Sequence, residues 1–501
     1  MYKQLKCFAL LFALCTILSA CMVDEHSGAA YLGEVPTLLS TTPAALELTP
    51  EATPPNPAPS PPPRPANARD FGGRTLRIGA WWPAPIYYAI WYEPRPETSR
   101  DYEVARMMWE NARRIEREFN VQLEYVTVPY DDFLPTLATS FMPPPFADVV
   151  VLEGGMQVEL VGRLIQPWCA ANLPDADIFG EQIHARPCTI FEGRVWTINP
   201  QGVDIVAQGL GVNLDIIHAN GLPNPLELFE AGQWTWDAML EIMRDATADT
   251  TGDGVVNQFG IAGQPNDIIR HLIGANDGIL VGGDFNFVWP NFYYALDHPN
   301  TRAALEFAET IFSEGLWAHE PGGVMIIGNW ERNFFSGKRE GNAALFPAAT
   351  WSLEGWPPNF YPHFNFGFVP FPTGPNNTTG NTSLSGLRTG LAVPVGVDWW
   401  LEDILFIMEE LFAWSGDNPD LIWESGETNR LRDVLPTEAD VQRYLHAHRT
   451  QAADIGMDIS EYYWVLGFMA YDFHSREMTA AQAIEYHRAP QQAILDRRFR
   501  P

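Results

Sequence analysis

Basic residues are scarce in this 501-residue chain: 31 Lys and Arg stand against 62 Asp and Glu, a net charge of −31. A surface of that sign repels phosphate backbones and anionic lipid, so nucleic acid is not an expected partner. Cysteine is scarce too. Of five, Cys7 and Cys15 lie in an apolar N-terminal run, and no Cys-x-x-Cys exists to frame a zinc site. Catalytic signatures are missing. The eleven histidines form no His-Glu-x-x-His, and there is neither a Gly-x-Ser-x-Gly nor a Gly-x-x-x-x-Gly-Lys-Ser/Thr. The adjacent acids Asp131-Asp132 and Glu409-Glu410 do not converge on one bond if they lie on helices, because neighbours there point apart. What is plentiful is apolar residues, 46% of the chain, enough for two domains with cores of their own.

The chain opens with Lys3 and Lys6, an apolar run from Cys7 to Leu18, and Leu18-Ser19-Ala20-Cys21. Residues 1–20 have the form of a secretory signal, too short for a comfortable membrane span. Leu18-Ser19-Ala20-Cys21 resembles the bacterial lipobox, which implies lipidation of Cys21; the alternative is an ordinary signal that happens to end in cysteine. Residues 21–69 include Thr-Pro-Glu-Ala-Thr-Pro-Pro-Asn-Pro-Ala-Pro-Ser-Pro-Pro-Pro. Proline at that density disfavours helix and sheet, so this stretch is expected to be a semi-rigid tether outside the fold.

From Phe71 the pattern changes. Thr75–Gly79 is expected to be a strand, Asp101–Asn120 a helix, and Val121, Leu123 and Tyr125 alternate with Gln122 and Glu124 as in a half-buried strand. Phe146–Leu152 follows as a buried strand. Strand, helix, strand, helix, strand is a parallel α/β unit, and ligands of such sheets sit beyond the strands' carboxyl ends. Trp81-Trp82 and Glu153-Gly154-Gly155 occupy those ends. The two tryptophans could stack on a sugar ring, Glu153 could accept from hydroxyls, and the glycines would let backbone approach a ligand. Against this, the aromatics could be ordinary core and the glutamate a solvated turn. Further along, His298–Glu314, Leu401–Ser415, Glu438–Ala453 and Thr479–Arg497 are expected helices, and Ala343–Phe346 and Phe366–Pro372 strands.

The stretch Gln233–Gly263 is the most informative. Thr235 can cap a helix in which Trp236, Met239, Leu240 and Met243 share a face. An acidic turn, Asp249-Thr-Thr-Gly-Asp253-Gly254, leads to Asn257-Gln-Phe-Gly-Ile-Ala-Gly263. A Trp-Thr-Trp-Asp helix, an Asp-x-x-x-Asp-Gly turn and a Phe-Gly-Ile-Ala-Gly strand in this order resemble family 1 extracellular solute-binding proteins, the receptor subunits of sugar-type ABC importers. The resemblance runs over roughly residues 71–501. It implies an α/β periplasmic-binding-protein fold of type II, two lobes joined by a hinge with a ligand cleft between them. On that basis 71–208 would begin lobe 1, 209–385 lobe 2, 386–440 would return to lobe 1, and 441–501 would be the C-terminal helices of lobe 2.

The resemblance also implies that Asp204, Gln264, Asn266 and Trp351 fall near the cleft, with Trp196 and Trp356 as weaker aromatic candidates. It implies a small solute, with the aromatic candidates favouring a sugar although relatives also take peptides and other polar solutes, captured by lobe closure and passed to ABC permease subunits by a monomer anchored to the membrane through Cys21. Two other roles share these residues: a ligand-sensing receptor for a membrane kinase, and a secreted polysaccharide-active enzyme using two remote carboxylates. No cofactor is required. Asp249, Thr251, Asp253 and Asn257 mimic the start of a calcium loop, but the closing glutamate is Gly260, so calcium would need donors from elsewhere; the alternative is a turn whose acids satisfy backbone amides. Cys169 and Cys188 could bridge in an oxidising compartment or stay free, since sequence does not bring two Cα atoms together.

Overall fold

The computed structural model describes residues 70–81, 93–95, 102–139, 145–161, 163–168, 185–191, 194–200, 207–283, 292–318, 341–349, 353, 364–386, 389–415 and 431–499. The expected signal, Cys21 and the whole tether lie outside these, as does Cys169, while Cys188 is placed only by its backbone. Contacts divide the chain into residues 1–56 and a unit from Pro57 that holds every element below. Among the described residues no helix is long and apolar enough to cross a membrane.

The first sheet is built from β1 (Arg74–Ala80), β2 (Val121–Thr127), β3 (Val149–Leu152), β4 (Ile165–Gln166), β5 (Ala185–Phe191), β6 (Arg194–Pro200) and a late arrival, β14 (Gly390–Pro394). Its order is β2-β1-β3-β14-β6-β5, with β4 on the end of β14. β1 runs parallel to β2 and β3, while β14 is antiparallel to β3 and β6. β2 buries Val121, Leu123 and Tyr125 and exposes Gln122 and Glu124, as its alternation requires. β3 has only apolar residues and is buried throughout, because helices cover both faces of a central strand. On one face, Ile115 of the helix Tyr102–Phe119 and Ile404 and Ile407 of the helix Leu401–Phe412 pack together. On the other, Phe133 and Leu137 of Tyr130–Thr139 meet Met156 and Leu160 of Gly154–Leu160. The first helix ends at Asn120, whose left-handed φ of 49° turns the chain straight into β2.

The second sheet has the order β12-β7-β11-β8, from β7 (Gln208–Asn213), β8 (Phe259–Ile261), β11 (Ala343–Ala349) and β12 (Phe366–Val369). The short pairs β9 (Val281–Gly282) with β10 (Tyr293–Tyr294), and β13 (Ser383–Ser385) with β15 (Gln451–Ala453), flank it. β11 outruns the expected Ala343–Phe346. Pro347 is tolerated because β8 has already ended at Ile261, opposite Leu345, so no partner on that side needs its missing N–H. One face packs on the helices Trp236–Ala246, Pro265–Gly274, Pro299–Ser313, Ser460–Ser475 and Ala480–Phe499. The other packs on the helix Glu438–Arg449 and on Leu431, Val434 and Leu435. Thr235 caps Trp236–Ala246 by accepting from the Ala238 amide, and Trp236 stacks on Phe307 at 4.5 Å.

Two elements depart from expectation. The helix Glu438–Arg449 stops before Ala453, because Gln451–Ala453 pairs with β13 instead. The helix Ser460–Ser475 has no counterpart in the sequence reading.

Both edges of the second sheet are occupied. On β12 the Phe368 amide donates to Asp440 at 2.8 Å, and its carbonyl accepts from Arg443 at 2.8 Å. Along β8, the Gly260 and Ile261 amides donate to the Leu316 carbonyl, and Ala318 donates to that of Ile261.

Candidate functional site

Strand direction defines the end of each sheet at which the candidate residues lie. β1, β2, β3 and β6 finish at one end of the first sheet, where antiparallel β14 begins with Gly390 opposite Leu152. Trp81 follows β1 there, half-buried against the cluster containing Phe133, Val150 and Trp196. Trp196 itself is 7% exposed, a core residue. Glu153 follows β3 and stands at the start of the helix Gly154–Leu160 without capping it through its side chain. Gly155 has a specific neighbour: a Cβ there would lie 3.3 Å from the Asp458 carbonyl. Behind these residues, Gln157 donates to the Leu152 carbonyl at 3.1 Å and accepts from Thr197 at 2.7 Å, a buried brace under the end of β3. Trp82, Asp204, Trp351 and Trp356 lie outside the described residues.

The chain leaves β6 at Pro200 and enters β7 at Gln208, so the crossing joins this end to the matching end of the second sheet. There Gln208 pairs with Ala349, the last residue of β11, while β8 runs parallel to β11 and delivers Gly263 and Gln264. Gly263 is required by conformation: its φ is +115°, and a Cβ would meet Pro347 Cδ at 2.5 Å. Its carbonyl accepts from the Trp317 indole at 2.9 Å.

Gln264 and Asn266 open the helix Pro265–Gly274 and are 8% and 5% exposed. The Tyr463 hydroxyl donates to Gln264 Oε1 and also bonds the Asn266 side chain. Burial, then the Asp267 carboxylate, drive the Tyr463 phenol above its ordinary range, so it stays a donor at any physiological pH. Arg270 packs its guanidinium 5.3 Å from the Tyr463 ring centre and pairs with Asp267 at 2.6 Å. Burial raises the Asp267 carboxyl and Arg270 opposes it. Next along the helix, His271 Nε2 lies 2.7 Å from Gln208 Oε1. Sequence reasoning named Gln264 and Asn266 but not Tyr463, Asp267 or Arg270, which only tertiary packing brings beside them.

The acidic turn is self-contained. Asp249 accepts from the amides of Thr251, Gly252 and Gly254 at 3.0, 2.7 and 2.6 Å, Asp253 from Val255 at 2.9 Å, and Asn257 Oδ1 from Thr250 at 2.9 Å. These oxygens accept from the turn's own backbone amides. Among the described residues no group of three or more His, Cys, Asp or Glu could hold a metal ion.

A second junction links elements that flank the two sheets. The turn Ile455–Asp458 packs beside the helix Gly154–Leu160, and Arg498 pairs with Glu159 at 3.2 Å and with Glu461 at 2.9 Å. Asp454, fully buried, fixes this turn by accepting from the Leu280 amide at 2.6 Å and the Gly456 amide at 2.7 Å.

No curated protein matches the chain in sequence. The fold is similar to that of a cyclo/maltodextrin-binding protein complexed with maltotetraose, with a TM-score of 0.55 and 12% identity over 84% of this chain and 96% of that one. It is similar to the sugar-binding protein MalE from Xanthomonas citri, at 0.54 and 13% over 85% and 98%. It is also similar to the cyclic alpha-maltosyl-1,6-maltose binding protein from Arthrobacter globiformis, at 0.52 and 16% over 84% and 99%. These likenesses show the mixed α/β periplasmic-binding-protein fold. Residues 106–398, more than half of the chain, match the bacterial extracellular solute-binding proteins, and the chain belongs to that family.

Proposed function

We propose that the protein captures a carbohydrate between its two sheet ends and delivers it to an ABC importer by closing on it. The observation that carries this is the grouping of Gln264, Asn266, Arg270 and Tyr463 at the end of the second sheet. Amide side chains both donate and accept, as sugar hydroxyls do, and a phenol ring offers a flat apolar plane to a sugar's C–H face. Trp81 and Glu153 supply the matching chemistry at the end of the first sheet. Three similar folds belong to proteins described as binding maltotetraose, sugar and cyclic alpha-maltosyl-1,6-maltose, which supports the same solute class here. A solute touching both ends binds the closed arrangement better, and only that difference can drive closure.

We assign β1 to β6, β14 and the helix Leu401–Phe412 to one lobe, and β7 to β13 with residues 431–499 to the other. Leu431, Val434 and Leu435 favour placing 431–440 in the second lobe, since they pack with Phe366 and Phe368 of β12. In this reading the protein works outside the cytoplasm as a monomer tethered through a lipid on Cys21, its partners are permease subunits, and it performs no catalysis.

Thermal unfolding with mono- and oligosaccharides, short peptides, and calcium against chelator tests the proposal. A solute at 100 times its dissociation constant adds about 2.7 kcal/mol, which raises the midpoint by roughly 2 °C or more in a chain of this size. A rise with one sugar class is the expected result. A rise with peptides alone would overturn the carbohydrate reading.

A further inference from the structure

His271 and Gln208 form a buried pair that the grouping above does not use. His271 is 1% exposed and Gln208 8%. The imidazole lies in the last turn of the helix Pro265–Gly274, seven residues after Gln264, and its ring centre is 5.2 Å from that of Phe371. Gln208 is the first residue of β7, where the chain arrives from the first sheet. The contact between them, 2.7 Å from Nε2 to Oε1, spans 63 residues of sequence.

The protonation of the pair follows from burial. The ring's pKa sits well below its ordinary value, first because burial disfavours the charged form and second because Arg270 is adjacent. A neutral imidazole carries one N–H. Nδ1 is buried and has no hydrogen-bond partner among the described residues. An orphaned N–H in such a place is rarer and costlier than an orphaned lone pair. The proton therefore belongs on Nε2, which donates to Gln208 Oε1. That choice fixes the amide: its oxygen faces inward to His271 and its NH2 group faces away from it. Among the described residues nothing accepts from that NH2 group.

We infer that Gln208 is a solute-binding residue at the crossing between the sheets, donating its amide N–H to a solute hydroxyl, and that His271 is the positioning residue that holds it in this orientation. The inference rests on the carbohydrate reading of the same sheet end and adds a specific donor to it. Gln208 shares that end with Gln264 and with the close of β11. Because it begins the strand entered from the first sheet, a solute bonded to it is held beside the crossing itself.

The test measures affinity by calorimetry for glucose, maltose, cellobiose and maltotetraose in the intact protein. Gln208→Met keeps the side chain's length and removes the donor; affinity for the bound sugar is expected to fall about tenfold, the equivalent of one hydrogen bond. His271→Phe frees the amide to rotate and is expected to lower affinity about threefold to tenfold, while His271→Gln, which can still donate to Oε1, restores most of it. Thermal midpoints separate positioning from general stability, since His271→Gln and His271→Phe should differ in affinity more than in midpoint. Nitrogen NMR of the wild-type protein provides a readout that needs no ligand and no variant: His271 is expected to stay the neutral Nε2–H tautomer at the pH where an ordinary histidine is half protonated. An Nδ1–H tautomer overturns the inference, and so does unchanged affinity in Gln208→Met when the wild-type protein binds. No binding of any sugar by the wild-type protein overturns the carbohydrate reading and this inference together.

Discussion

The Tyr463 hydroxyl donates to the side-chain oxygen of Gln264, 199 residues earlier in the chain. This contact ties the helix Ser460–Ser475 to the start of the helix Pro265–Gly274. If the pair forms one wall of a sugar site, Tyr463→Ala should weaken sugar binding by at least tenfold, through loss of both ring and hydroxyl. Tyr463→Phe keeps the ring and should cost only about threefold to tenfold, one hydrogen bond's worth. Trp81→Ala and Trp351→Ala test the other aromatics, with at least a tenfold loss expected from each. Calorimetric titration measures all four, and unchanged affinity throughout would remove the site from these sheet ends.

Gly263 makes a prediction about stability alone. Gly263→Ala puts a Cβ into Pro347 and holds a non-glycine residue at a φ of +115°. Backbone strain of about 1–3 kcal/mol and overpacking of about 1–3 kcal/mol act together there. Chemical denaturation should show a loss of at least about 2 kcal/mol; a midpoint matching the wild type would mean that the turn relaxes freely.

Asp454 predicts a pH dependence of unusual sign for a carboxylate. Burial pushes its pKa up to about 7, against the backbone amides of Leu280, Gly456 and Val281 that favour the charged form. The folded state therefore keeps a proton that the unfolded chain releases near its ordinary value of 3.8. The stability this group contributes is full at acid pH and declines as pH rises from about 4 to about 7. Asp454→Asn removes that titration, so the wild-type-minus-variant difference in unfolding free energy should fall across this window. A flat difference would mean that the amides hold the carboxylate charged.

Asp249 carries the opposite sign. Its carboxyl is held below the ordinary range, chiefly by the Gly254 amide, so its contribution is present above pH 4 and is lost as pH falls through its folded value. Because its oxygens already serve the turn, adding calcium should leave the unfolding midpoint where chelator leaves it, and Asp249→Ala should lower the midpoint without calcium being involved. A calcium-dependent rise would require the turn to open and its oxygens to re-aim.

Much of this arrangement is legible in the residues. The alternation in β2, the apolar β3 and the Thr235-capped helix each carry their periodicity openly, and strand direction then points to Trp81 and Glu153, whereas Gln264 follows only from the family resemblance. The helix Ser460–Ser475 hides for a physical reason. It buries Tyr462, Val465, Leu466, Met469, Ala470 and Phe473, yet also exposes Trp464, Phe468 and Tyr471, so no polar face marks its period. Tyr463 was hidden with it. The strand Gln451–Ala453 was absorbed into the preceding helix because its pairing with β13 lies 68 residues away. Gln208 and His271 carry no local signal, since their contact exists only once β7 lies against the helix Pro265–Gly274.

The commitments of Phe368 reach beyond the site. With its amide held by Asp440 and its carbonyl by Arg443, and with the Gly260 and Ile261 amides of β8 bonded to Leu316, these edge rungs of the second sheet are already taken. A partly unfolded neighbour meeting this protein at high local density cannot zip onto those rungs. The same side chains that lock the helix Glu438–Arg449 in place thus make crowding tolerable, and a break at Asp440 would surface first as turbidity in concentrated samples, before any change in what the protein binds.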